Sequence, residues 1–181
     1  MRKDHRSLRR RPLFTPVWLS AFGAIAAALV VVWLWGMAGV STVIVVRHAE
    51  KVSSPETDPA LSSLGVERAQ ALARVMRDVP LAAIYVSEFR RTRETAEPVA
   101  EAQGVEIIEV SADDSAGLLR RLGAHRGESV LVVAHSNTML EIVAGLGGET
   151  RPIAEDEFSR LLIVTTGIFT RTRVLPLRYE R

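Results

Sequence analysis

The sequence contains no cysteine among its 181 residues. This absence excludes disulfide bonds and metal sites built on thiolate ligands, and it is compatible with an oxidising compartment. Charged residues are also absent between Arg11 and Arg47. A helix that packs on a soluble core normally shows a polar outer face, so this uncharged segment is not typical of a buried core helix.

The apolar part of this segment has the length of a membrane span. About 20 apolar residues form a helix of about 30 Å, which matches the hydrocarbon thickness of a bilayer. We therefore predict one transmembrane helix from Trp18 to Met37, within a signal anchor over residues 13–40. Two alternatives remain open: a cleavable signal peptide with a site near Gly36-Met37-Ala38, and a twin-arginine signal beginning at Arg10-Arg11.

Positive charge is concentrated at the N-terminus. Residues 1–12 hold six basic residues and one acidic residue, a net charge of +5, which leaves −3 for the rest of a chain whose total is +2. The body of the chain is therefore mildly acidic, and we expect no nucleic-acid partner. The basic arm should stay in the cytoplasm, so we predict a single-pass protein of the inner membrane with residues 41–181 facing the periplasm or cell exterior.

After residue 41, strand patterns and helix patterns alternate. The predicted strands cover residues 42–46, 81–86, 105–110 and 129–134, with two more around Thr166-Gly167. The predicted helices cover residues 63–78, a segment through Thr95 that Pro98 should interrupt, 113–122 and 137–144. Ser62 or Ser63 should cap the first of these helices, and Arg68 falls on its outer face. The pattern predicts an α/β three-layer sandwich with a mostly parallel central sheet and helices on both faces.

Polar residues follow three of the apolar strands directly. The first strand is followed by Arg47, His48 and Glu50, the second by Ser87 and the arginines of "FRRTR", and the fourth by "HSN", beginning at His135. Ligands of open α/β sheets bind beyond the carboxyl ends of the strands. Guanidinium groups bind phosphoryl oxygens and a neutral imidazole is a nucleophile, so the set fits phosphoryl transfer.

Four segments, "VVRHAEK", "LSSLGVERAQALA", "IYVSEFRRTRETAEP" and "VLVVAHSNT", together resemble the histidine phosphatase superfamily, also called the phosphoglycerate mutase-like family. The resemblance implies that His48 is the nucleophile that becomes phosphohistidine. It also implies that Arg47, Arg91 and His135 bind the phosphate, and that no metal or other cofactor is required. Alanine follows "RH" here, where the family usually has glycine.

The general acid that protonates the leaving group is less well defined. Some members of the family place it between the second arginine and the second histidine, a region that here contains Asp113 and Asp114. Glu50 and Asp58 also lie near the pocket in sequence. The donor must reach the bridging oxygen of the substrate. Following the placement in those family members, we rank Asp113 first, with Glu50 as the second candidate.

These features predict a phosphatase that hydrolyses a phosphomonoester or phosphohistidine. Its substrate would be a phosphorylated small molecule, an envelope component or a phosphoprotein. The alternative is a non-catalytic module, tethered to the membrane, that binds phosphate or a partner. A phosphoglycerate mutase is disfavoured, because a domain of about 140 residues lacks the insertions of larger members.

Overall fold

The computed structural model describes residues 17–37, 39–167 and 170–180. Its first unit contains helix α1, Val17–Met37. The window Trp18–Trp35 is long and apolar enough to cross a membrane, with a mean hydropathy of 2.0, and none of it is buried. The predicted helix is therefore present, while the basic arm predicted over residues 1–12 lies outside the described residues.

The second unit contains the alternating strands and helices that the sequence predicts. The strands are β1 Ser41–Arg47, β2 Leu81–Val86, β3 Ile107–Glu109, β4 Ser129–Ala134, β5 Arg160–Gly167 and β6 Thr170–Arg178. The helices are α2 Ser63–Met76, α3 Arg90–Gln103, α4 Ser115–Leu122 and α5 Ser136–Gly145. The side chain of Ser62 caps α2 by accepting a hydrogen bond from the amide of Gly65.

The six strands form one sheet in the order β3-β2-β4-β1-β5-β6. Strands β1, β2, β3 and β4 pair in parallel, whereas β5 runs antiparallel to β1 and β6 runs antiparallel to β5. The prediction of a mostly parallel sheet is thus confirmed, with an antiparallel hairpin added at one edge.

Both faces of the central strands β1, β2 and β4 are buried, which explains why these strands are continuously apolar. In β1, Val43 and Val45 belong to one core cluster, which includes Leu118 of α4 and Ile142 of α5. Ile44 and Val46 belong to the opposite cluster, which packs against α2 and α3. Successive side chains of a strand point to opposite faces, so a strand covered on both sides needs an apolar residue at every position.

Three details differ from the sequence prediction. Arg68, expected on the outer face of α2, is buried. Helix α3 continues through Pro98, because Ala96 and Val99 on either side of the proline are fully buried, and this packing offsets the cost of about 3 kcal/mol for an internal proline. Strand β3 is shorter than predicted, since it lies at the sheet edge and pairs only with β2.

Candidate active site

The register of the parallel strands brings the predicted site residues together. Val46 of β1 and Val86 of β2 both pair with Val133 of β4, so the three strands end at the same level. The backbone amide of His48 continues the ladder by donating to the carbonyl of Ala134 at 2.9 Å. The residues that immediately follow these strand ends therefore meet at one edge of the sheet.

The two predicted histidines lie side by side. The ring centroids of His48 and His135 are 5.2 Å apart, at an interplanar angle of 62°. The pKa of His48 is lowered to about 3, mainly by burial; the hydrogen bond to Ala49 opposes this shift, and the positive charges of Arg47 and Arg91 act in the same direction as burial. The imidazole of His48 is therefore neutral at physiological pH.

The tautomer of His48 follows from its hydrogen bond. Nδ1 lies 2.8 Å from the carbonyl oxygen of Ala49, and because a carbonyl can only accept, Nδ1 carries the proton. Nε2 then holds the lone pair. A neutral imidazole with a fixed tautomer is a competent nucleophile.

His135 is held through a chain of hydroxyl groups. Its Nε2 lies 3.0 Å from Oγ of Ser87, which lies 3.0 Å from Oγ1 of Thr92 in α3. Burial lowers the pKa of His135 to about 4, with a further contribution from the charge of Arg91. Ser87 thus orients the ring of His135 from the end of β2.

Arg47 is fixed by a segment that the sequence analysis missed. Nη1 of Arg47 donates to the carbonyl oxygens of Ala154 at 3.1 Å and Glu155 at 2.5 Å. The ring of Phe158 lies 4.3 Å from the guanidinium carbon and 6.1 Å from the ring of His48. Backbone carbonyls leave no trace in sequence, and Phe158 stands outside every motif, so no signal pointed to these contacts.

Arg91 lies in the first turn of α3 and also packs on an aromatic ring. Its guanidinium carbon is 4.1 Å from the ring of Phe89, which in turn contacts His135 at 5.2 Å between centroids. Nη1 of Arg91 lies 3.7 Å from the carboxylate of Asp58. Within the described residues, the Nε atoms of both Arg47 and Arg91 are buried and have no hydrogen-bond partner. Both arginines line one pocket together with His48 and His135.

Thr95 connects the first strand to the helix that carries Arg91. Its hydroxyl accepts a hydrogen bond from the amide of Ala49 at 2.9 Å and donates to the carbonyl of Arg91 at 2.7 Å. The backbone beside His48 and the backbone of Arg91 are therefore held at a fixed separation. One side-chain hydroxyl thus links the two backbone segments.

The candidate proton donors are placed differently from one another. Asp113 lines the same pocket as Arg47, His48, Arg91 and His135, and it is exposed. The carboxylate of Glu50 is instead bound by Arg68 and is absent from the lining of that pocket. The carboxylates of the other two acids accept hydrogen bonds from backbone amides. Asp114 caps α4 by accepting from the amide of Gly117 at 2.8 Å, and Asp58 accepts from the amide of Arg90 at 3.0 Å.

The sequence matches a known family profile over part of its length. Residues 43–114 match the profile of the histidine phosphatase superfamily (branch 1), a span that includes Arg47, His48, Arg91 and Asp113 but not His135. Comparison of the sequence with curated proteins gives no significant match.

Solved structures share the fold at low sequence identity. The mycobacterial glucosyl-3-phosphoglycerate phosphatase has a TM-score of 0.62 and 16% identity, and the match covers 78% of this chain and 100% of that one. The protein histidine phosphatase SixA, solved with tungstate, has a TM-score of 0.62 and 22% identity, with 76% and 96% covered. Mycobacterial hydrolase 2 has a TM-score of 0.61 and 16% identity, with 79% and 93% covered. The chain therefore shares the fold of these solved structures, and its residues 43–114 are similar to the histidine phosphatase superfamily (branch 1).

Proposed function

We propose that the chain is a phosphatase that hydrolyses a phosphomonoester or phosphohistidine through a phosphohistidine intermediate at His48. The match of residues 43–114 to the superfamily profile supports an enzyme of the histidine phosphatase type. The observation that carries the assignment of His48 as the nucleophile is its protonated Nδ1, which leaves the lone pair on Nε2, in a residue that lines the same pocket as Arg47, Arg91 and His135. Phosphatases among the similar structures support the reaction class.

The first chemical step follows from these positions. Arg47, Arg91 and His135 hold the phosphoryl oxygens, and Nε2 of His48 attacks phosphorus in line with the leaving oxygen. The N–P bond forms as the P–O bond breaks, and the leaving oxygen takes a proton from Asp113, which we assign as the general acid because it lines the pocket.

The hydrogen bond of His48 also suits the intermediate. Phosphorylation at Nε2 gives the ring a positive charge while Nδ1 keeps its proton. The carbonyl of Ala49, 2.8 Å from Nδ1, stabilises that charge at a buried position. In the second step water attacks phosphorus and gives one proton to the carboxylate of Asp113, the N–P bond breaks, inorganic phosphate leaves, and His48 returns to its neutral tautomer.

Hydrolysis of p-nitrophenyl phosphate by the full chain tests the reaction. We expect wild-type protein to release p-nitrophenol and His48→Ala to lose at least about 10³-fold in kcat, since the nucleophile itself is removed. Glu101→Gln, on the C-terminal half of α3, is the matched control and should retain full activity. Equal background rates in wild type and His48→Ala would favour a pocket that binds phosphate without turnover.

We further propose that α1 anchors the domain in the inner membrane, with residues 41–181 on the periplasmic or outer side. The length and apolar character of Trp18–Trp35 and the basic residues before it support this proposal. Protease added to cells with a permeabilised outer layer should digest the domain while a cytoplasmic marker stays intact. Protection of both would contradict the orientation, and a mature protein that starts after residue 38 would favour a cleaved signal peptide.

A further inference from the structure

Several acidic residues lie in or next to the phosphate pocket. Asp113 lines it, and Asp58 lies 3.7 Å from the guanidinium of Arg91. Three further acids lie beside the pocket residues. They are Glu88, whose carboxylate accepts a hydrogen bond from the pocket residue Ala112 at 2.8 Å, Glu155, whose carbonyl binds Arg47, and its neighbour Asp156. We call these five residues the acidic rim.

The charges of the acidic rim act on the groups inside the pocket. Glu155 and Asp156 raise the pKa of Arg47, opposing the stronger effect of its burial. Glu88 acts in the same direction on the pKa of Arg91 and of His135. A charged group that enters beside the phosphate would meet the same negative charges.

The positive charge available to a ligand is small by comparison. Arg47 is more than nine-tenths buried in the pocket wall, and its Nε has no partner within the described residues. Other arginines of α3 are already paired, Arg90 with Glu94 at 2.5 Å and Arg93 with Glu109 at 2.8 Å. The two negative charges of a phosphoryl group would balance the positive charges of Arg47 and Arg91. The negative charge of the acidic rim would then remain unbalanced.

We infer that the pocket selects a phosphoryl group whose carrier has a cationic group beside the phosphate and no second anionic group. This inference rests on the proposed phosphatase activity and adds a substrate class to it. A cation beside the phosphate would face the acidic rim, whereas a second phosphate or carboxylate would meet like charge. Bisphosphates and nucleoside polyphosphates are therefore poor substrates, and phosphoryl groups flanked by ammonium or guanidinium groups are good ones.

Three synthetic phosphotyrosine peptides of equal length test the inference. They keep one leaving group and differ only in the flanking residues, which are lysine, serine or aspartate. We expect kcat/KM to fall in that order, with the lysine peptide at least about tenfold above the aspartate peptide at low ionic strength. The ratio should shrink as salt is added, because exposed charges are screened beyond about 10 Å at 0.1 M salt.

Variants link the preference to the acidic rim. The double variant Glu155→Gln, Asp156→Asn keeps the backbone carbonyls that hold Arg47, and it should reduce the lysine-to-aspartate ratio by about threefold or more. Glu101→Gln, which removes one negative charge from the far end of α3, should leave the ratio unchanged.

Two outcomes distinguish a failure of this inference from a failure of the proposed phosphatase activity. Equal kcat/KM for the three peptides, with hydrolysis that still depends on His48, would overturn the inference and leave the phosphatase activity intact. No hydrolysis that differs between wild type and His48→Ala, for any peptide or for p-nitrophenyl phosphate, would contradict the proposed function and the inference with it.

Discussion

The carboxylate of Glu50 is bound by the guanidinium of Arg68 through hydrogen bonds of 2.7 to 3.0 Å to both oxygens. Arg68 lies on α2, and Glu50 is the second residue after His48. The backbone carbonyl of Glu50 also accepts a hydrogen bond from the amide of Ser62 at 2.8 Å. Together these contacts attach the segment that follows the nucleophile to the start of α2.

Loss of Arg68 should therefore destabilise the domain. Arg68→Ala leaves the partly buried charge of Glu50 without this ion-pair partner, and we expect the free energy of unfolding to fall by about 3 kcal/mol. Arg74→Ala, an exposed arginine on the same helix, is the control and should change stability by less than about 0.5 kcal/mol. Urea unfolding measures both, and equal effects of the two substitutions would show that the ion pair adds no stability.

The close approach of Gly65 to the backbone of Glu50 leads to a second prediction about the segment that follows His48. A Cβ atom at this position would lie 2.1 Å from the carbonyl oxygen of Glu50, so Gly65→Ala must displace one backbone segment. We expect a loss of about 2 kcal/mol in unfolding free energy and a lower kcat, because the displaced segment carries His48. Gly123→Ala is the matched control, since its φ of −64° and nearest contact of 3.4 Å accept a side chain. Wild-type stability in Gly65→Ala would contradict the packing described here.

Much of the fold could be predicted because its signals are local. Apolar runs ending in His48, Ser87 and His135 define three strands, and parallel strands necessarily end at the same edge. Contacts between distant segments could not be predicted. Periodicity placed Arg68 on the outer face of α2, because the pattern does not show that Glu50 lies opposite. Phe158 was missed for the same reason, since its role depends on an irregular segment that folds back over Arg47.

The two depressed histidine pKa values predict how stability depends on pH. The pKa values of His48 and His135 are lowered to about 3 and about 4, from 6.5 in an unfolded chain. Between pH 6.5 and these values the unfolded state binds more protons than the folded state. The contribution of the two neutral histidines to the free energy of unfolding is therefore fully present above pH 6.5 and is lost as the pH is lowered. Thermal unfolding should show this fall, and His48→Asn should make it shallower. Identical pH dependence in wild type and variant would contradict the neutral buried imidazole.

The assignment of Asp113 as general acid can be tested by varying the leaving group. p-Nitrophenolate leaves without protonation, whereas an alkoxide needs a proton as the P–O bond breaks. Asp113→Asn should therefore lower kcat/KM for an alkyl phosphate by about 10² while changing that for p-nitrophenyl phosphate less than about fivefold. Asp114→Asn, which alters the cap of α4 next to it, is the control. A uniform loss on both substrates would argue that Asp113 binds substrate and does not protonate it.

Direct detection of the phosphoenzyme tests the central claim. Wild-type protein mixed with p-nitrophenyl phosphate, quenched in mild alkali within milliseconds and digested, should yield a peptide containing His48 with the mass of one added phosphoryl group. The label should disappear on acid treatment, as phosphohistidine does, and should be absent from His48→Ala. Turnover with no label on His48, or with the label on another residue such as Ser87, would contradict the account.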